Sequence, residues 1–218
     1  IADRLLKAAQ AEGVSLAGTE IAISGAMALP HELVVPFEAA TGGYLVEGYG
    51  LSECSPVLMA NPVAPNRKPG TVGLPLPGTE CRVVDPDDPT RDVPEGERGE
   101  LVVRGPQVFQ GYYGKPEATE EVLLDGWFRT GDIVQIDEEG FVRIVDRIKE
   151  LIITGGFNVA PTEVESALRQ YPHVVDAAIV GLPSEHSGEA VVAAVVLDGM
   201  RDVDVEPIRE FARGILTP

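Results

Sequence analysis

The stretch 126-GWFRTGDIVQIDEEGFVRIVDRIKELIITGGFNVAPTEVE-165 holds two kinds of pattern, and the point where one replaces the other decides the fold. Its first part alternates apolar and polar residues in two runs, "GWFRTGDIVQID" and "FVRIVD", split by "EEG", as antiparallel strands joined by a turn do. Its second part reads as a hairpin, "ELIITGGFNVAP", and then a helix. Pro161 sits near that helix's first turn with Glu163 and Glu165 close behind, where proline and acidic side chains favour a helix start. The charged connection "DRIKE", Asp146 to Glu150, stands between the two patterns and marks a domain boundary, 1–148 before it and 149–218 after it.

Upstream, residues 1–12 read as a helix. "TEIAISGAMALP" reads as a short buried strand, a glycine turn and a helix from about Pro30 to Thr41, which is α/β grammar. After "YLVEGYG" a loop rich in Pro and Asn is expected from Ser55 to Pro69. The runs "TECRVVD" and "GELVVRG" then join the two strands above in a β-rich subdomain over about 70–147. Its longest turn is "DPDDPTRDVPEGERG", dense in Pro, Asp and Gly. Downstream, two strands ("VVDAAIVG" and "AVVAAVVLD") and a last helix ("DVEPIREFARGIL") complete a small α+β module.

The 218 residues suffice for two units with cores of their own. Hydrophobic residues make up 44% and charged ones 24%, the composition of a soluble globular protein. No apolar run approaches the roughly 20 residues of a membrane span. The net charge of -18 argues against a nucleic-acid binder, because phosphate-driven affinity needs clustered Lys and Arg. Cys54 and Cys81 are too few and too far apart for a disulfide framework or a zinc site, so a reducing, cytoplasmic setting is expected. "IADRLLKAAQAEGV" opens as an amphipathic helix rather than a charged leader, and "FARGILTP" stops just after a helical pattern. Both ends suggest a fragment.

"EGYGLSECSP", Glu47 to Pro56, sets a thiol beside a carboxylate and raises the question of a nucleophile. A reactive thiol needs a lowered pKa, whereas the anionic neighbour Glu53 would raise it, so Cys54 reads as a small buried hydrophobe. The rest of the stretch suits a nucleotide. Gly48 and Gly50 let the backbone turn around Tyr49, whose ring could stack on a base, while Ser52 offers a hydroxyl to phosphate and Glu53 a hard oxygen to Mg²⁺. An ordinary strand-turn-helix corner accounts for the same residues. His31, His173 and His186 read as solvated or capping residues, and Trp127 and Phe128 as core anchors.

Taken with "SGAMALP" (24–30), "EGYGLSECSP" (47–56) and "GELVVRGPQVFQGYY" (99–113), the stretch 126–165 resembles the adenylate-forming superfamily of acyl-CoA synthetases, luciferases and peptide-synthetase adenylation domains. "GPQVFQGYY" and "GGFNVAPTEVE" are most similar to bacterial medium- and long-chain fatty acyl-CoA synthetases. The resemblance implies an α/β plus α+β chain. It would hold the C-terminal part of the large N-terminal domain, an α/β layer with a distorted β-barrel, and then a truncated small, mobile C-terminal domain.

The same resemblance assigns residues. Gly25, Ala26 and Met27 would line the adenine and acyl pocket, Tyr49 would stack on adenine, Ser52 would contact the adenylate phosphate and Glu53 would hold Mg²⁺. Asp132 would take both ribose hydroxyls, a task suited to a carboxylate's two acceptor oxygens. Arg147 would bind ribose or phosphate; its alternative is a surface ion pair with Asp146. Lys149 would be the hinge, a backbone role, and the turn Gly155, Gly156, Phe157 and Asn158 would admit the thiol of coenzyme A. The implied ligands are ATP or AMP, Mg²⁺, a fatty acid and CoA. Peripheral membrane contact by the parent stays open.

Two parts of the family pattern are lacking: the Ser/Thr/Gly-rich phosphate loop upstream of "SGAMALP", and a lysine near the C-terminus, since no lysine follows Lys149. The parent is expected to make acyl-AMP from a fatty acid and ATP and then acyl-CoA, and this chain alone to be inactive and prone to self-associate. The alternatives are a fatty acyl-AMP ligase that loads an acyl carrier protein, and a non-catalytic binding module. The small domain's basic residues, Lys149, Arg169, Arg201, Arg209 and Arg213, do not decide between CoA and a carrier.

Overall fold

The computed structural model describes residues 1–25, 29–184, 187–199 and 205–216. Helix α1 (Ala2–Glu12) stops at Gly13, whose φ of 66° lets the next amide, of Val14, turn back onto the Ala9 carbonyl at 3.0 Å. Strand β1 (Ile21–Ser24) leads through a 3₁₀ turn at His31–Leu33 into helix α2 (Val34–Thr41) and then strand β2 (Tyr44–Gly50). β1 and β2 are parallel, with Ile21 opposite Tyr44 and Ser24 opposite Glu47. This βαβ unit is the α/β layer.

The strand expected to be buried is present but open. Ile21 is 51% and Ile23 71% exposed. A cluster of Leu29, Val34, Phe37 and Leu45, with Leu6 and Ala22 against it, packs one face of the layer. Parallel strands normally have helices on both faces, and the alternate residues of β1 lack the second cover. A second departure lies in the expected loop 55–69, which contains strand β3 (Val57–Ala60), antiparallel to β2. Leu58 and Met59 are wholly buried there. Strand β4 (Leu74–Pro75) completes the sheet in the order β1-β2-β3-β4.

The β-rich segment forms strands β5 (Glu80–Val84) and β6 (Gly99–Arg104), helix α3 (Pro116–Val122), and strands β7 (Leu123–Leu124), β8 (Trp127–Ile136) and β9 (Val142–Arg147). The sheet runs β5-β6-β8-β7, with β9 also on β8. Asp125 (φ 49°) and Gly126 (φ 81°) turn β7 into β8, the left-handed pair that a two-residue hairpin needs. The core joins Tyr49, Leu58 and Met59 of one sheet, with Cys54 from the turn between their strands, to Leu101, Val103, Phe128, Val134 and Val142 from the other. Trp127 is not part of that cluster. Alternation along β8 turns it away from buried Phe128, and the guanidinium carbons of Arg82 and Arg104 lie 5.2 and 4.6 Å from its ring centroid.

After a 3₁₀ turn at Ile148–Glu150 come strands β10 (Ile152–Thr154) and β11 (Phe157–Val159), helix α4 (Pro161–Leu168), strands β12 (Val174–Ser184) and β13 (Gly188–Leu197), and helix α5 (Val205–Ile215). The antiparallel sheet runs β11-β10-β13-β12. Ile152, Leu168, Val174, Ala177, Ile179 and Ile208 form its core. The chain divides into two compact units, Ile1–Thr130 with Val134–Ile144, and Gly131–Ile133 with Val145–Pro218.

Candidate functional site

In the first unit β2 ends at Gly50, and its pairing with β3 shifts register between Tyr49 and Gly50. The shift brings two backbones together: a Cβ on Gly50 would stand 1.8 Å from the Pro56 carbonyl oxygen, so this glycine is required by the fold itself. Gly48 differs, since a Cβ there would make ordinary contacts at 3.6 Å. Gly25 is tight against Gly48, with a Cβ 3.3 Å from its carbonyl oxygen. Ala26 and Met27 lie outside the described residues. Tyr49 is a core residue, 8% exposed. A planar ligand therefore meets only a small remainder of its ring.

Residues Ser52–Cys54 form a 3₁₀ turn. Ser52 is exposed and Glu53 half-buried. The Tyr112 hydroxyl donates to Glu53 Oε1 at 2.9 Å, and the Phe109 amide donates to the Glu53 carbonyl at 2.7 Å. Burial and the bond to this carboxylate push the Tyr112 phenol up. Cys54 is wholly buried, and its thiol is pushed up to about 12, first by burial and then by the Glu53 charge. A thiol so protonated is no nucleophile. Among the described residues no group of three or more His, Cys, Asp and Glu side chains could hold a metal ion. A single carboxylate fits Mg²⁺ all the same, when phosphates and water supply the remaining ligands.

In the second unit Asp132 is 2% exposed, and the Arg147 Nε donates to its Oδ1 at 3.1 Å. The guanidinium is largely in solvent while the carboxylate is buried. Arg147 thus pairs with Asp132 and not with its neighbour Asp146. That carboxylate is also buried and is taken by backbone and hydroxyl: Asp146 Oδ1 accepts the Arg147 amide at 2.7 Å, and Oδ2 accepts the Thr162 hydroxyl at 3.1 Å and amide at 3.4 Å. Lys149 is exposed on the 3₁₀ turn. Gly155 and Gly156, at φ 58° and 86°, make the β10–β11 turn, and Phe157 beyond it is 67% exposed with Asn158 beside it.

Each unit therefore gathers its own subset: Gly25, Gly48, Tyr49, Gly50, Ser52 and Glu53 in the first, and Asp132, Arg147, Lys149 and Gly155–Asn158 in the second. Two residues with evident work were missed from sequence, Tyr112 and Asp146. Tyr112 lay inside the quoted "GPQVFQGYY", but a partner 59 positions away leaves no periodic signal.

An α/β layer followed by this β-rich sheet and a small antiparallel module is the architecture of the AMP-binding enzymes. The chain belongs to that family: the AMP-binding enzyme model matches residues 1–113 and the AMP-binding enzyme C-terminal domain model residues 163–218. It is 45% identical over 192 residues to a long-chain-fatty-acid–CoA ligase of Escherichia coli O6:H1, covering 88% of this chain and 34% of that protein. It is 44% identical over 214 residues to the long-chain-fatty-acid–CoA ligase of Bacillus subtilis, covering 98% of this chain and 38% of that one. The crystal structure of ATP-bound MatB from Rhodopseudomonas palustris superposes with a TM-score of 0.82 at 41% identity, over 89% of this chain and 39% of MatB. The chain thus spans well under half the length of these relatives.

Proposed function

We propose that the chain is part of an ATP-dependent fatty acid–CoA ligase. In the first step a fatty-acid carboxylate attacks the α-phosphorus of ATP, pyrophosphate leaves and acyl-AMP forms. In the second the thiol of CoA attacks the acyl carbon, AMP leaves and the thioester forms. Residues 1–148 belong to the large adenylate-binding domain and 149–218 to the small mobile domain, with Lys149 at the hinge. The observation that carries the reading is the buried Asp132 carboxylate with Arg147 3.1 Å away: an acceptor suited to a vicinal diol next to a donor suited to an anion.

The other roles follow from chemistry. Ser52, exposed on its turn, donates its hydroxyl to the adenylate phosphate, and Glu53 holds Mg²⁺. Mg²⁺ held there would supply positive charge to the phosphates. Gly48 and Gly25, whose backbones lie close together, keep side chains away from a flat base, and Tyr49 borders it. Gly155, Gly156, Phe157 and Asn158 offer an exposed turn to the incoming thiol. The chain has no lysine after Lys149, so the 218 residues alone lack the lysine that the family resemblance expects near the acyl carboxylate during adenylation.

A second acceptor, the thiol of an acyl carrier protein, is favoured by one observation. Arg169 is paired with Glu165 and Asp176, and Arg209 and Arg213 with Glu206, which leaves exposed Lys149 as the cation outside these ion pairs for the 3'-phosphate of CoA among the described residues of 149–218.

The test is fatty-acid-dependent exchange of pyrophosphate into ATP by the full-length protein, with the 218-residue chain assayed beside it. Exchange by the full-length protein that depends on a fatty acid, and none by the shorter chain, is the expected result. Release of AMP on adding CoA or a carrier protein then identifies the acceptor. Absence of exchange from a folded full-length protein with every acid supplied would leave a binding module in place of a ligase.

A further inference from the structure

Resting on the reading of Glu53 as the metal-holding carboxylate, we propose that Tyr112 is a positioning residue that aims Glu53. The pairing is built rather than incidental. The loop that carries Tyr112 grips Glu53 twice, through the Phe109 amide on its carbonyl at 2.7 Å and the Tyr112 hydroxyl on its Oε1 at 2.9 Å. Main chain and side chain of Glu53 are therefore set by one segment that is remote in sequence.

That segment is itself held from two directions. The Phe109 ring meets Tyr112 edge-on at 4.9 Å and the buried Phe128 edge-on at 5.5 Å, so a row of aromatic rings ties the phenol to the strand core. From the other side, the Thr119 hydroxyl oxygen of α3 accepts the Tyr112 amide at 2.9 Å and donates to the Lys115 carbonyl at 2.9 Å. Gly111 must be glycine for this docking, because at φ 140° a Cβ would stand 2.6 Å from Thr119 Cγ2. The phenol cannot drift while these contacts stand.

A carboxylate with one oxygen fixed by a donor presents the other in a set direction. A single-carboxylate site has no further protein ligand to correct a rotated side chain, so its affinity for a cation depends on that orientation. Partners of metal ligands are typically worth 10–100-fold in metal affinity. Tyr113 supplies the control: it is the next residue, also a tyrosine, and its side chain is fully exposed.

The experiment measures Mn²⁺ binding to the full-length protein with saturating ATP, read by the paramagnetic resonance of free Mn²⁺, alongside the thermal midpoint. Tyr112→Phe keeps the ring contacts and removes only the hydroxyl. It is expected to weaken Mn²⁺ binding roughly tenfold with an unchanged midpoint, whereas Tyr113→Phe binds as wild type. Glu53→Gln is expected to lose more, and Tyr112→Phe added to Glu53→Gln to cost nothing further. Wild-type Mn²⁺ affinity in Tyr112→Phe, or additive losses in the double variant, overturns the inference while leaving Glu53 as a ligand. Wild-type affinity in Glu53→Gln removes the reading of Glu53 and the inference with it.

Discussion

Glu47 shows what a single buried carboxyl does to the first unit. It is 8% exposed on β2 and accepts the Gly70 amide at 2.9 Å. Burial pushes its carboxyl up, against the opposing pull of the Gly70 and Leu29 amides and the His31 charge. A carboxyl raised in the folded state binds its proton more tightly there than in the unfolded chain. Its burden on stability is therefore absent below the ordinary value of 4.5 and grows as pH rises through the folded value. Glu47→Gln retains an acceptor for Gly70 and removes the titration. Denaturation of the two proteins across pH should give matching stability at and below about pH 4, with the variant gaining on wild type at higher pH. Parallel curves would mean that Glu47 carries no such burden. Cys54 stands at the same scale: burial decides its chemistry, and holds its thiol protonated.

At the scale of elements, the docking of the start of α4 onto Asp146 of β9 matters most to the second unit. Pro161 starts α4 with no amide to satisfy, and Thr162 follows with both its amide and its hydroxyl directed at Asp146 Oδ2. The same hydroxyl lies 2.8 Å from the Val145 carbonyl. A buried carboxylate on β9 thus serves as a distant cap and fixes the start of α4 against that strand. Charge-assisted bonds of this kind contribute about 1.5–3 kcal/mol. Asp146→Ala should destabilise the unit by about 2 kcal/mol and speed hydrogen exchange of the α4 amides by roughly thirtyfold, with Asp146→Asn in between. Exchange at the wild-type rate would assign the helix start to Pro161 alone.

For the whole molecule, apolar surface and charge oppose each other. Ile21 and Ile23 face outward on β1, and on the second unit's sheet Val180, Leu182, Val192 and Val196 share one outward face. Those residues are 37–57% exposed on β12 and β13. Such faces favour self-association of the isolated chain, whereas the net charge of -18 keeps copies apart at low ionic strength. The 218-residue chain should therefore scatter light as a monomer in dilute salt and as larger species above about 0.5 M salt, where screening acts over only a few ångströms. Ile23→Lys and Leu182→Lys should each delay that transition. A monodisperse monomer at high salt and high concentration would show these faces to be harmless.

Periodicity and turn chemistry by themselves determined most elements. α1, the strands β5, β6, β8 and β9, the Gly155-Gly156 hairpin and the helix beginning at Pro161 are local patterns, written in residues a few positions apart, whereas α3 and the two-residue β7 were not read from them. Ser52, Glu53, Asp132 and Arg147 were candidates from the sequence as well, through the motifs that hold them and the family those motifs resemble. What local pattern does not carry is exposure and partnership. Only tertiary packing left β1 open on one face, drew Val57–Ala60 into a sheet between prolines, and turned Trp127 toward Arg82 and Arg104 instead of the core. It also set Tyr112 on Glu53, and Arg147 on Asp132 rather than on the adjacent Asp146. The physical reason is the same in each case: a hydrogen bond or a covered face is made with whatever the folded chain brings within reach, across separations at which sequence spacing holds no period to read.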